Sequence, residues 1–249
     1  MELKDAVCLI TGGTKGIGAC TAFALAQRGA HIAIAARTLG VDAEKVRAGI
    51  ERHGGKFLGI VADVSKPEDA RRCVRETVEK FGGLDVLVHS AGGPAPGTFM
   101  ELTAEKWHAA FAIHVHPIFH LCQEAIPVMR KKKQGAILFI SSAAGSRGVP
   151  GAVAYQAVKG ALPQLTRALA RETAADNIRI NCVAPGIIRT AFHEQMPPEV
   201  KKNNVENRIP LRREGTPEQV AELIREMITN DYITGETFAI DGGLTMRLC

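Results

Sequence analysis

The 249-residue chain contains two tyrosines, and one of them, Tyr155, stands four residues before Lys159 and thirteen after Ser142. On a helix a four-residue spacing puts both side chains on one face, one turn apart. A phenol with a pKa near 10 is a poor proton donor or acceptor at neutral pH. A lysine charge at ~4 Å and an effective dielectric near 20 is worth roughly 4 kcal/mol, or about three pKa units. That would bring Tyr155 into the range where general acid-base catalysis is efficient. Ser142, at the end of a β-rich run, would hold a carbonyl oxygen by hydrogen bonding. Taken alone, the spacing also fits an exposed lysine beside an aromatic ring.

A second constellation is the loop Thr11-Gly12-Gly13-Thr14-Lys15-Gly16-Ile17-Gly18, between a β-rich run and a helical pattern. Gly12, Gly16 and Gly18 allow a tight turn and close approach of a pyrophosphate, with Thr14, Lys15 and Ile17 around it, at the positive end of the following helix. Glycine at such a corner also has purely steric uses. About twenty residues on, a site for NAD(H) places a carboxylate on the ribose hydroxyls. Here the chain reads Ala36, Arg37, Thr38. Arg37 and Lys15 would pair with a 2′-phosphate, which favours NADP(H) over NAD(H). The alternative is that both cations point into water. Asp63, with Val64 beside it in VADVS, is a candidate acceptor for an adenine amino group or a cap on the following turn.

These residues need elements to hold them. Candidate strands run over Ala6–Thr11, His31–Ala36, Lys56–Ala62, Leu84–His89, Ala136–Ser141, Arg179–Ala184 and Thr237–Ile240. Helical patterns lie between them at Gly16–Arg28, Asp42–His53, Pro67–Phe81, Ala104–Lys132, Ala152–Ala175 and Pro217–Thr229. Near-continuous apolar strands alternating with helices predict a doubly wound, parallel α/β sheet covered on both faces, in a single domain. Ligands of such sheets sit beyond the carboxyl ends of the strands, where both constellations fall.

Composition narrows the function classes. Lys and Arg number 31 against 26 Asp and Glu, a net charge of +5. The one dense basic run, Arg130–Lys133, closes a helical pattern with no interleaved aromatics and reads as a solvated helix end rather than a nucleic-acid patch. Cys8, Cys20, Cys73, Cys122, Cys182 and Cys249 show no C-x-x-C spacing, which suits free thiols in the cytoplasm. The opening apolar run is too short for a secretory leader, and no window suggests a membrane span. His116 and His120 have the i, i+4 spacing of a metal pair, but nothing completes the ligand set and Pro117 lies between them; no metal site is expected.

TGGTKGIG, HSAG, ISSAAG, YQAVK, NCVAPGIIRT and YITGETFAIDGG, in this order over essentially the whole chain, resemble the short, single-domain branch of the short-chain dehydrogenase/reductase family. The resemblance implies a seven-stranded Rossmann-type sheet, assembled as a homotetramer or homodimer, that moves hydride between NAD(P)(H) and a small-molecule carbonyl or alcohol substrate. It implies Tyr155 as acid-base, Lys159 as nicotinamide-ribose ligand and modulator of the tyrosine, and Ser142 as the carbonyl's hydrogen-bond donor. Ser90, Ala91 and Gly92 would line the dinucleotide, and Pro185, Gly186, Ile188 and Thr190 the nicotinamide side. It resembles 3-oxoacyl thioester reductases and sugar or polyol dehydrogenases; the superfamily's enoyl reductases space tyrosine and lysine more widely.

Two positions depart from the family pattern. His89-Ser90 replaces a common Asn-Asn, and His114, seven residues after Trp107, takes the place of an asparagine whose main-chain carbonyl holds a relay water. His114 either keeps that backbone role or joins the relay through its imidazole, whose ordinary pKa near 6.5 would suit. The departures leave open a second reading, a dinucleotide-binding sensor or scaffold without chemistry. Pro163 removes the helical hydrogen bond to the Lys159 carbonyl and predicts a kink beside the site. Residues 191–210, with Met196-Pro197-Pro198, fall where the family carries a substrate lid. Gly93–Gly97 would form the opposite wall. Neither segment has an arginine cluster for an anionic substrate.

Overall fold

The computed structural model describes residues 1–190 and 196–246. The strands β1 (Val7–Thr11), β2 (His31–Ala36), β3 (Phe57–Val61), β4 (Val86–His89), β5 (Gly135–Ile140), β6 (Ile178–Pro185) and β7 (Thr237–Ile240) form one sheet. Its order is β3-β2-β1-β4-β5-β6-β7, with every neighbouring pair parallel. The order reverses between β1 and β4, where both chains' carboxyl ends open a crevice.

Side-chain alternation divides the core into two layers. Cys8, Ile10, Ile32, Ile34, Val86, Val88 and Leu138 face α1 (Gly16–Ala26), α2 (Gly40–Arg52) and a C-terminal helix, Pro217–Thr229. Leu9, Ala33, Leu87, Ile137, Phe139 and Ile180 face α3 (Pro67–Phe81), α5 (His116–Lys132) and α6 (Val153–Thr173). Both faces of each central strand are therefore buried, which is why their sequences are apolar without alternation. The basic run is tied down at two points: Arg130 pairs with Asp176 at 2.6 Å and Lys132 with Asp85 at 2.8 Å. No helix among the described residues is long and apolar enough to cross a membrane.

The structure departs from the sequence reading at both prolines near the site. The single helix expected over Ala104–Lys132 is two, α4 (Ala104–His114) and α5, separated at Val115. Pro117 has no N–H for the Ile113 carbonyl, and the Ile118 amide bonds Val115 O, so the carbonyls of Ile113 and His114 lose their helical partners. Conversely, α6 runs unbroken through Pro163. The Lys159 carbonyl that Pro163 cannot serve accepts the Ser141 hydroxyl at 2.7 Å instead. In the segment expected as a lid, residues 198–203 form a short helix, α7 (Pro198–Asn203), that continues into a wide π-helical turn over Asn204–Arg208; residues 191–195 lie outside the described residues. The helix Pro217–Thr229 is α8 hereafter.

This substitution for a missing helical bond is measurable. Ser141→Ala should cost about 1–3 kcal/mol by stranding a buried carbonyl. In a Pro163→Ala background, where an amide again reaches that carbonyl, the cost should largely vanish in urea unfolding. Additive costs would refute the assignment.

Candidate active site

The glycine loop closes on itself at the end of β1. Gly12 and Gly16 have φ of +67° and +53°, a region side chains disfavour. A Cβ on Gly18 would overlap the Gly12 carbonyl oxygen, so the loop can fold over the first turn of α1 only with glycine there. That turn has no capping side chain and no acidic residue, so its amides are presented to the crevice. Gly12, Lys15, Gly16 and Ile17 line one end of a cavity of about 780 Å³.

At the other side of the switch point, three consecutive residues leaving β5 engage α6. Ile140 offers its carbonyl to Lys159 Nζ at 2.6 Å, Ser141 bonds the Lys159 carbonyl, and the Ser142 hydroxyl bonds the Tyr155 phenol. Ser142 also accepts the Ala144 amide at 3.2 Å, which caps the short 3-10 turn Ala143–Gly145 and fixes its rotamer. The ammonium lies 5.7 Å from the centre of the Tyr155 ring.

The expected depression of the phenol is not what this geometry produces. Burial dominates and raises the Tyr155 pKa, with the Ser142 bond pulling it back. Lys159 spends its charge on a backbone carbonyl, and burial lowers its own pKa to about 8. Tyr155 is thus a protonated phenol at neutral pH, able to donate.

His114 packs edge-on against Tyr155, with ring centres 5.8 Å apart at 86°. Its Nε2 lies 3.0 Å from the Gly93 carbonyl and 3.4 Å from the Gly93 amide, so it donates to the first or accepts from the second according to the tautomer, and Nδ1 is buried without a protein partner. Burial, then the nearby Lys159 charge, pushes its pKa down to about 3. The imidazole is therefore neutral at physiological pH and does not titrate near 6.5, as the sequence reading had allowed. A Cβ on Gly92 would come within 2.5 Å of this ring, which explains the glycine. His89, one strand away, bonds Thr11 Oγ1 through Nδ1 at 2.8 Å and is held near 3 by the same causes. Its Nε2 is buried without a hydrogen-bond partner, although the Ile113 and His114 carbonyls released by the helix break lie close enough to the ring to favour its charged form.

Of the residues singled out from sequence, the cavity gathers Gly12, Lys15, Gly16, Ile17, Ser90, Ala91, Gly92, His114, Ser142, Tyr155, Lys159, Pro185, Gly186, Ile188 and Thr190. Thr14 lies within the loop but is not among the residues lining the cavity. Arg37 and Thr38 are exposed beyond β2. Lys15 is paired with Asp42 at 3.0 Å rather than free. Asp63 caps the turn before α3 by accepting the Ser65 amide and hydroxyl at 3.1 and 2.7 Å. The Val64 side chain is in the core, 4% exposed. The proline-rich wall contributes Pro94, Ala95 and Pro96. Sequence reading missed Arg147, Arg208, Leu244 and Thr245, which also line the cavity. The first is only five residues past Ser142, but nothing local signals the tail's return. Among the described residues no group of three or more His, Cys, Asp or Glu is placed to hold a metal ion.

Residues 12–245 match the family model described as Enoyl-(Acyl carrier protein) reductase. The chain belongs to the short-chain dehydrogenase/reductase family. It is 35% identical over 248 residues to the 3-oxoacyl-[acyl-carrier-protein] reductase FabG of Thermotoga maritima, covering 99% of this chain and 100% of that one. It is 36% identical over 250 residues to human dehydrogenase/reductase SDR family member 4, covering 99% and 90%. Among solved structures it superposes on a putative short-chain alcohol dehydrogenase from Sinorhizobium meliloti with a TM-score of 0.93, at 33% identity and full coverage of both. Levodione reductase gives 0.92 at 27% identity and 98% coverage of each.

The two buried neutral histidines link stability to pH. Unfolded, each binds a proton below about 6.5, whereas the folded form resists until about 3. Stability should therefore fall as pH drops from 6.5 towards 3, by up to about 1.4 kcal/mol per pH unit per histidine. Urea midpoints between pH 4.5 and 7 should show a shallower slope for His114→Asn; an unchanged slope would contradict a neutral buried imidazole.

Proposed function

We propose that this oxidoreductase interconverts ketones and secondary alcohols with NADP(H), resembling the 3-oxoacyl reductases more than sugar or polyol dehydrogenases. The observation that carries it is the assembled Ser142–Tyr155–Lys159 set at the wall of an apolar cavity. The glycine loop fits a dinucleotide: a cradle that a Cβ would fill, facing uncapped amides. A bound nicotinamide nucleotide supplies hydride to a carbonyl carbon or takes it from an alcohol.

The chain's own residues handle the oxygen and its proton. The Ser142 hydroxyl and Tyr155 phenol bond a carbonyl oxygen from one side and make its carbon more electrophilic. As negative charge develops there, Tyr155 donates its proton. The raised phenol pKa keeps that proton in place until it is needed. Lys159, positioned by Ile140, stabilises the phenolate left behind and reaches a ribose hydroxyl. The His114 ring stacks edge-on beside Tyr155, with its Nδ1 buried and without a protein partner. Tyr155 and Lys159 share one helical turn, which supports carbonyl over enoyl reduction despite the wording of the family description. Reduction is the direction favoured by a protonated tyrosine.

For the cofactor, Arg37 is exposed at the end of β2 with no acidic partner among the described residues, and no carboxylate occupies the ribose position. Asp42 competes for Lys15. A dimer or tetramer in the cytoplasm is part of the same reading; it is supported by the open edge at β7, where Tyr232 and Phe238 are exposed. The sensor reading has less support, because the departures at His89 and His114 leave the serine, tyrosine and lysine in contact.

Tyr155→Phe should lower turnover of 3-oxoacyl thioesters and diketones at least ~100-fold while NADPH still binds by fluorescence titration; full activity would sink the mechanism. Arg37→Glu should raise KM for NADPH about tenfold or more with little change for NADH, and Asp42→Asn should lower it. Equal effects on both nucleotides would remove the 2′-phosphate assignment.

A further inference from the structure

The described lining of the cavity contains no Asp or Glu, yet it contains Lys15, Lys159, Arg147 and Arg208. The first two are accounted for, by Asp42 and by the Ile140 carbonyl. The two arginines are not. Arg147 Nε and Nη2 both donate to the Thr245 carbonyl, at 3.0 and 2.8 Å. Arg208 Nη1 donates to Asn204 Oδ1 at 2.8 Å, and Asn204 is itself fully buried. Both guanidinium groups are thus fastened by neutral acceptors, and neither has a carboxylate partner among the described residues. Each keeps donors without a partner among the described residues: Nη1 on Arg147, Nε and Nη2 on Arg208.

Their place in the fold separates them from the nucleotide. The glycine loop follows β1, whereas Arg147 follows β5 and Arg208 follows β6, beyond Tyr155 in the sheet order. The same cavity is lined by the apolar side chains of Pro94, Ala144, Val149, Met196 and Leu244. A pair of un-neutralised, pre-anchored guanidinium groups at the rim of an apolar cavity is a receptor for an anion. We propose that the substrate is a ketone whose apolar chain ends in an anionic group, a carboxylate or a phosphate ester, held by Arg147 and Arg208 while the carbonyl meets Ser142 and Tyr155. This rests on the ketone-reductase reading and adds the charge of the substrate to it.

The test uses the full chain with NADPH at low ionic strength, with a series of keto acids of graded chain length and their methyl esters. The acid should be preferred in kcat/KM by about tenfold at the best length, and the preference should shrink with added salt. Arg208→Gln should reduce that acid-to-ester ratio several-fold through KM, and Arg208→Lys should restore part of it. Binding of unreactive ligands to the NADPH complex is read in parallel, by thermal shift with decanoate, decyl phosphate and decanol. Stabilisation by either anion over the alcohol, lost in Arg208→Gln, supports the proposal, and the stronger of the two anions identifies the group. Equal binding of anion and alcohol, or an acid-to-ester ratio near one that Arg208→Gln leaves unchanged, overturns it. Failure to reduce any ketone while the anion preference in binding persists would count against the reductase reading and not against the anion site.

Discussion

The buried ammonium of Lys159 is the constraint on which this site depends. A lysine 6% exposed must find acceptors or lose its charge, and the Ile140 carbonyl at 2.6 Å is the acceptor it has. That contact requires the end of β5 to lie directly on α6. Ser141 and Ser142 extend the same seam, one to the Lys159 carbonyl and one to Tyr155. Gly145 lets the following turn approach, since a Cβ there would sit 2.8 Å from the Lys159 backbone. Pro163 makes the seam necessary as well as possible, because it leaves the Lys159 carbonyl without a helical donor.

The floor of the site is built from neutral imidazoles. His89 and His114 stand where the family commonly has asparagine, and both are held uncharged by burial beside a cation. Each keeps hydrogen-bonding capacity without adding positive charge. The break at Val115 brings them into relation, because it strips the Ile113 and His114 carbonyls of helical partners close to the His89 ring. One proline therefore shapes the polar floor without touching it.

Charge in the cavity is one-sided. The cavity's described lining holds Lys15, Lys159, Arg147 and Arg208 and no carboxylate, although Lys15 is paired with Asp42 outside it, so the field there favours anions.

Much of this was legible from residue order. Apolar runs alternating with helical periods specified a parallel doubly wound sheet, and the glycine pattern and the Ser142, Tyr155, Lys159 spacing picked out residues that the fold gathers at one cavity, because both signals are local. Tertiary packing decided the rest. Whether Pro117 or Pro163 breaks a helix depended on what could replace the missing donor: Ser141 serves one carbonyl, and nothing in the helix serves the other. The direction of the Tyr155 shift turned on burial against a single charge, the neutrality of His114 on its enclosure, and the role of Asp63 on Ser65 lying within reach. Arg147 and Arg208 came to line the same cavity as Ser142 and Tyr155 only when the C-terminal turn and residues 198–208 folded over the strand ends, a juxtaposition that depends on contacts as much as 98 residues apart in the chain.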